Sequence, residues 1–257
     1  GEGHDVVFFR SGFVTFKDAL LNLDDLAEEL AAANGEWDPG AKEECMIEGH
    51  WKAIPWMLGF NVFVYRTDYF KQIGVTREQV HKMTWDDLLT WAPKLQAIGH
   101  PGGFAISQLD PGDSNQPLWC LLWSYGSYPV TAKREITIDS AATVQCIKYI
   151  KELYKYMPEG VLAWDGGANN RAMLSGYASW TSNKPSIYAT ALVDAPEIAR
   201  NLDHATHPAG PRGAFHWQDF GGPGIWKFLP PDRQQLFQGE IIHKVIPESV
   251  KVEFPDL

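Results

Sequence analysis

The stretch WKAIPWMLGFNVFVYRTDYFKQIGV (Trp51–Val75), with TWDDLLTWAPKLQAIG (Thr84–Gly99) close behind it, decides how this chain is read. Ala53–Met57 and Phe60–Arg66 are short apolar runs of strand length, too brief for helices. A short helix follows Tyr65-Arg66 and closes on Gly74. Thr84 predicts a helix N-cap, with Asp86 and Asp87 in the first turn, where carboxylates complement the helix dipole. Trp85, Leu88, Leu89, Trp91, Ala92 and Leu95 then fall on one apolar side of that helix.

Strands and helices continue to alternate on either side. Upstream, DVVFF (residues 5–9) reads as a buried parallel strand. DALLNLDDLAEELAAANG (18–35) has helical spacing and a stop at Asn34-Gly35. Downstream, Phe104–Ser107 and Glu135–Ile138 read as strands, and Asp139 caps a helix reaching Met157 on which Val144, Ile147, Ile150 and Tyr154 recur at helical spacing. Helices are expected over Ala168–Gly176, Ser182–Leu192 and Ala195–Leu202, with strands over Ala178–Thr181 and Gly224–Phe228. PAGPRG (208–213) is a turn-rich break, and the tail KVIPESVKVEF (244–254) suggests an edge strand. A chain of 257 residues is long enough for two α/β lobes.

The order Ile54-Pro55-Trp56, Tyr65-Arg66-Thr67-Asp68-Tyr69-Phe70, Gly74-Val75 and Thr84–Leu89 resembles the carbohydrate-type extracellular solute-binding proteins (family 1) of bacterial ABC importers. DVVFF, PAGPRG, GIWKF (224–228) and WDGGANNRAMLSGYASWTSN (164–183) extend the likeness over roughly residues 5–228. The resemblance implies an α/β, two-lobed type II periplasmic-binding-protein fold, each lobe a mixed sheet flanked by helices. It implies lobe one over 1–106, lobe two over 107–213, and a return to lobe one with a tail over 214–257. Segments that family members carry before the first strand and after GIWKF find no counterpart, so the resemblance implies a chain short at both ends. It further implies export to the periplasm or exterior, although the sequence carries no signal peptide.

Composition narrows the function classes. A formal charge of −10 argues against a nucleic-acid partner, which needs a basic surface. No apolar run approaches the ~20 residues that span a bilayer. Three cysteines leave at least one unpaired; Cys120 and Cys146 lie on expected helices as core thiols, with a bridge between them left open. Eleven tryptophans are many for this length, and Trp offers a cleft a flat apolar face with an N–H donor.

The resemblance places the ligand between the lobes. In lobe one it points to Arg10 and Ser11 after the DVVFF strand, and to Trp56 and Asn61 beside the strand-to-strand turn. Arg10 could equally be a surface residue. In lobe two it points to Trp164, Asp165, Asn169, Asn170, Trp180 and Asn183, and Asp113 and Asn115 precede an aromatic helix carrying Trp119 and Trp123. Helix capping is the competing reading for Asp113, Asn115, Asp165 and Asn169, and Trp123 reads as core. Trp217 lies near the second crossing, where hinge and ligand contacts mix. These residue types suit a sugar, whose C–H face packs on an aromatic ring while its hydroxyl rim needs donors and acceptors such as Asp, Asn and Arg.

The leading expectation is therefore a monomeric binder of a sugar, oligosaccharide or polyol that closes on its ligand and hands it to an ABC-transporter permease, without catalysis, cofactor or metal. A carbohydrate-active enzyme is the alternative from another class. The same fold with a phosphorylated polyol or a cationic amine is a third, Arg10 and Arg171 suiting an anionic group. Several enzyme patterns fall away: Asp219-Phe220-Gly221 lacks the other kinase motifs, and no G-x-S-x-G elbow exists. His204 and His207 beside Asp203 have zinc-like spacing but no Cys or H-E-x-x-H partners, so they read as a solvated loop.

Overall fold

The computed structural model describes residues 4–9, 12–107 and 111–240. Arg10, Ser11 and the tail segment 244–254 lie outside the described residues. In chain order the elements are β1 (Val6–Phe9), α1 (Asp24–Asn34), α2 (Pro39–Cys45), β2 (Met46–Ile47), β3 (His50–Trp51), β4 (Met57–Phe60) and β5 (Val62–Arg66). Next come α3 (Thr67–Gln72), α4 (Arg77–His81), α5 (Trp85–Ala97), α6 (Pro111–Ser124), α7 (Ala141–Tyr154) and α8 (Ala168–Leu174). The chain continues with β6 (Trp180–Asn183), α9 (Ser186–Asp194), α10 (Pro196–Ala199), β7 (Leu202–Ala205), β8 (Gln218–Ile225) and α11 (Pro231–Glu240).

The chain forms two compact units, one of residues 1–59 with 218–257 and the other of residues 60–217. Lobe boundaries were expected after residues 106 and 213. The first division falls earlier because β5 pairs antiparallel with β6 and with β7, in the order β6-β5-β7. Those hydrogen bonds tie the segment after Gly59 to the residues that follow it.

In the first unit, β8 lies between β1 and β4. The DVVFF run pairs antiparallel with β8, Val6 opposite Ile225. The expected parallel, buried strand is thus corrected: Val6 and Val7 are half-buried and Phe8 is exposed, so apolar continuity marked a sheet edge. Backbone bonds from Ile54 N to Pro223 O (3.1 Å) and from Trp56 N to Gly221 O (2.9 Å) extend the pairing on the other side of β8. Phe13, Leu20, Leu23, Leu26, Leu30, Cys45, Ile54 and Ile225 form this unit's core.

The second unit packs its three-stranded sheet between two cores. Phe63, Tyr65, Trp85, Leu88, Leu95, Phe104, Tyr149 and Trp180 fill one; Val64, Met173, Ile187, Ala191 and Ala199 fill the other. Thr84 caps α5 as expected, its side chain accepting from Asp87 N while Asp87 reaches back to Thr84 N. Residues 104–107 are not a strand: Phe104 and Ala105 are buried, and the segment touches β6 through Gly103 N to Trp180 O (3.0 Å). Residues 135–138 supply only one isolated bridge, Val130 to Ile136. Ser140, not Asp139, caps α7. The three cysteines are buried and free, and burial pushes the Cys120 thiol up to about 12. Among the described residues no helix is long and apolar enough to cross a membrane.

Candidate functional site

One end of the β6-β5-β7 sheet gathers most of the expected polar residues. Val62 pairs with Asn183, so Asn61, just ahead of β5, falls beside the outgoing end of β6. Its backbone N–H donates to the Trp217 backbone C=O (2.9 Å). Asn169, fully buried on α8, donates from Nδ2 to the Asp113 carboxylate (3.2 Å) and to Ser182 C=O (3.5 Å). Its Oδ1 accepts from Asn170 N (2.8 Å). Asn183 donates from Nδ2 to Asn170 Oδ1 (2.5 Å), and its own Oδ1 accepts from Lys184 N (2.6 Å). Asp113, Asn169, Asn170 and Asn183 are therefore one hydrogen-bonded rim, supplied by α6, α8 and β6. Capping does not explain Asn169: α8 starts from Gly167 without a side-chain cap.

Beside this rim stands an indole stack. Trp119 and Trp123 sit one turn apart on α6 with ring centroids 6.2 Å apart and planes 20° apart. Trp217 continues the series at 5.8 Å and 8° from Trp123. All three are half-buried. The sequence reading took Trp123 as core and did not put Trp119 forward; their i,i+4 spacing was the signal available for the stack.

Other candidates fall elsewhere. Trp180 is fully buried, stacked on Phe63 (5.4 Å, 19°) and edge-on to Phe104 (5.1 Å, 73°). β6 directs it into the same core as Phe63 and Tyr65. A Cβ on Gly102 would lie 2.2 Å from its indole, so the chain passes directly over the ring. Asp165 is exposed and accepts from Gly167 N (3.0 Å) and Arg171 Nη2 (2.8 Å); Arg171 holds its carboxyl below the usual range. Asn115 is exposed, and half-buried Trp164 packs against both cores of its unit. Trp56 belongs to the other unit, 43% exposed and edge-on to Phe8 at 5.4 Å. Arg10 and Ser11 cannot be placed, lying outside the described residues.

His204 and His207 are not on a solvated loop. His204 lies on β7, and His207 is 1% exposed, its Nε2 2.8 Å from Ser182 Oγ. Burial pushes the His207 pKa down to about 3. Asp203 is engaged by Tyr65, Arg77 and His81, the Arg77 hydrogen bond holding its carboxyl far below the usual range despite burial. Among the described residues no group of three His, Cys, Asp or Glu could hold a metal ion.

A flat aromatic stack against a rim of amides and one carboxylate can hold a neutral molecule with an apolar face and several hydroxyls. The fold around this site is the α/β type II periplasmic-binding-protein fold. The family model for the bacterial extracellular solute-binding protein matches residues 1–228, and the chain belongs to that family. A probable ABC transporter-binding protein of Deinococcus radiodurans is 26% identical over 200 residues, covering 75% of this chain and 47% of its own length. Maltose-bound MalE3 of T. maritima superposes with a TM-score of 0.81 at 25% identity, over 91% of this chain and 60% of that one. A solute-binding protein of Agrobacterium radiobacter K84 in complex with ribitol gives a TM-score of 0.79 at 19% identity, over 97% and 65%. The chain thus spans 47% to 65% of the length of these relatives.

Proposed function

We propose that this chain binds a small hydroxyl-rich solute — a sugar, oligosaccharide or polyol — and serves an ABC importer as its non-catalytic, exported binding component, working as a monomer with its permease. The observation that carries the reading is the rim of Asp113, Asn169, Asn170 and Asn183 set at the same sheet end as Trp217 and its indole stack. Indole faces suit pyranose or polyol C–H surfaces. Half-buried Asp113 and Asn170 carry the acceptors and donors that hydroxyls need in matched pairs, and fully buried Asn169 holds the two in place. A mismatch in such a site costs ~1–3 kcal/mol, so the rim sets which solute is held. Two of the structural relatives hold a carbohydrate and a polyol, maltose and ribitol, which fits this chemistry. Arg171 is engaged by Asp165, which weighs against a phosphorylated ligand as the first choice.

Thermal-shift screening against monosaccharides, disaccharides, polyols and amines tests the class. A specific ligand at ~100 times its dissociation constant stabilises by ~2.7 kcal/mol, whereas ligands of another class leave the midpoint unchanged. Amines as the only stabilisers would reverse the reading, and conversion of a bound oligosaccharide would make the protein an enzyme.

A further inference from the structure

Three buried polar atoms at the site end of the second unit lack hydrogen-bond partners among the described residues: Asn61 Oδ1, His207 Nδ1 and Trp217 Nε1. Their residues are drawn together by the backbone. Asn61 donates its N–H to Trp217 C=O. Phe63, two residues on, faces Ser182 on one side and Ala205 on the other. Continuing the second register by two residues sets His207 across from Asn61, and His207 Nε2 meets Ser182 Oγ at 2.8 Å. Asn61 and His207 are each 1% exposed, so bulk solvent does not satisfy these atoms.

The donor and acceptor roles can be assigned. The Ser182 hydroxyl is buried, and His207 Nε2 is its one hydrogen-bond partner among the described residues; donation from Nε2–H would leave the hydroxyl proton unmatched, which favours the hydroxyl donating to Nε2. A neutral imidazole then carries its single proton on Nδ1. The three atoms become two donors, His207 Nδ1–H and Trp217 Nε1–H, and one acceptor, Asn61 Oδ1. That set complements one hydroxyl oxygen, which accepts twice and donates once.

We infer that Asn61, His207 and Trp217 form an inner socket for a single hydroxyl oxygen, supplied by a solute hydroxyl or by a bound water, and that His207 is a specificity-determining residue of the proposed site. The solute source rests on the function proposed above; the socket itself does not. Because a buried polar group left unmatched is costly, a solute lacking the correctly placed hydroxyl is discriminated against.

Two arms test this on the full chain. In the first, 15N-histidine labelling and long-range proton–nitrogen correlation read which His207 nitrogen carries the proton, with His207→Asn identifying the resonance. Protonation at Nδ1 is expected; protonation at Nε2 overturns the socket. In the second, maltose and ribitol are titrated calorimetrically into the wild type, His207→Asn and His207→Gln. The Asn amide overlays the Nδ1 edge of imidazole and keeps the socket donor, whereas Gln overlays the Nε2 edge and keeps only the Ser182 bond. A solute hydroxyl in the socket predicts an affinity loss of about 10-fold or more in His207→Gln and less than about 3-fold in His207→Asn. Unchanged affinity in both, with Nδ1 protonated, assigns the oxygen to water and overturns the specificity role. Equal losses in both, or a larger loss in His207→Asn, overturn the specificity role. Should the wild type bind neither probe, the proton position alone decides the socket, and the proposed function stands or falls on the wider screen.

Discussion

At the scale of residues, two tryptophans show what types alone can and cannot reveal. Trp180 and Trp217 were both site candidates; Trp180 is 0% exposed between Phe63 and Phe104, whereas Trp217 ends an indole stack. Trp180→Ala is expected to cost ~3–5 kcal/mol, read as a drop in the urea midpoint. Trp217→Ala is expected to shift that midpoint far less and to weaken solute binding by about 10-fold or more, because it removes a stacking face. The sequence shows that a Trp is present but not on which side of a strand it points, since β6 is only four residues long. Of the polar candidates, Asp113, Asn169, Asn170 and Asn183 are hydrogen-bonded together, a grouping that no local spacing encodes because they come from three elements, while Asp165 is taken by a local turn and Arg171. His207 was hidden because burial of a His after a strand leaves no mark in composition. It carries its own pH dependence. In the folded chain its pKa is pushed down to about 3, against an ordinary value near ~6.5. Its contribution is therefore intact above pH ~6.5 and lost as pH falls toward about 3, because the unfolded chain binds a proton the folded one refuses. The loss approaches ~1.4 kcal/mol per pH unit at most. Urea unfolding at pH 7.5 and 5.0 should show a smaller acid loss in His207→Gln than in the wild type; an identical loss contradicts the assignment.

Among elements, local signals were read well and pairing was not. The cap and apolar side of α5 follow from Thr84-Trp85-Asp86-Asp87 and the spacing of Leu88, Trp91 and Leu95, and the structure agrees. On α7 the period was right and the face partly so: Cys146, Tyr149 and Leu153 are buried and Ile150 packs against the same core, whereas Val144, Ile147 and Tyr154 are 47%, 59% and 41% exposed. Two stripes on one helix have the same period, and only the packing partner chooses between them. Strand direction failed for a related reason. β1 pairs with β8, more than two hundred residues away, and nothing local to DVVFF encodes an antiparallel neighbour. β8 itself contains GGPG and runs close to the chain before β4: a Cβ on Gly222 would fall 1.8 Å from Ile54 O. Gly222→Ala is thus expected to destabilise by at least the ~1–3 kcal/mol typical of overpacking, because the obstacle is backbone and cannot rotate away. A midpoint equal to wild type would contradict that close approach.

Taken whole, the chain is two units with separate cores, and the longer sequence match concerns a family whose members bind solutes extracellularly. The signature around Trp51–Val75 was sufficient to foresee the family and the α/β class, because it combines strand, turn and cap signals in a fixed order. It could not locate the first division between the units. That depends on β5 joining β6 and β7, a pairing between segments more than a hundred residues apart. In the proposed function, one end of the second unit, with the Asp113–Asn169–Asn170–Asn183 rim and the Trp119–Trp123–Trp217 stack, holds a polyhydroxylated solute. Isothermal titration of the intact chain with maltose, ribitol and a wider series of sugars and polyols tests it most directly. Saturable, one-to-one heat is expected with at least one of them, much reduced in Trp217→Ala and in Asp113→Ala; no saturable heat across the series, or full-strength binding in both variants, would contradict the proposed site.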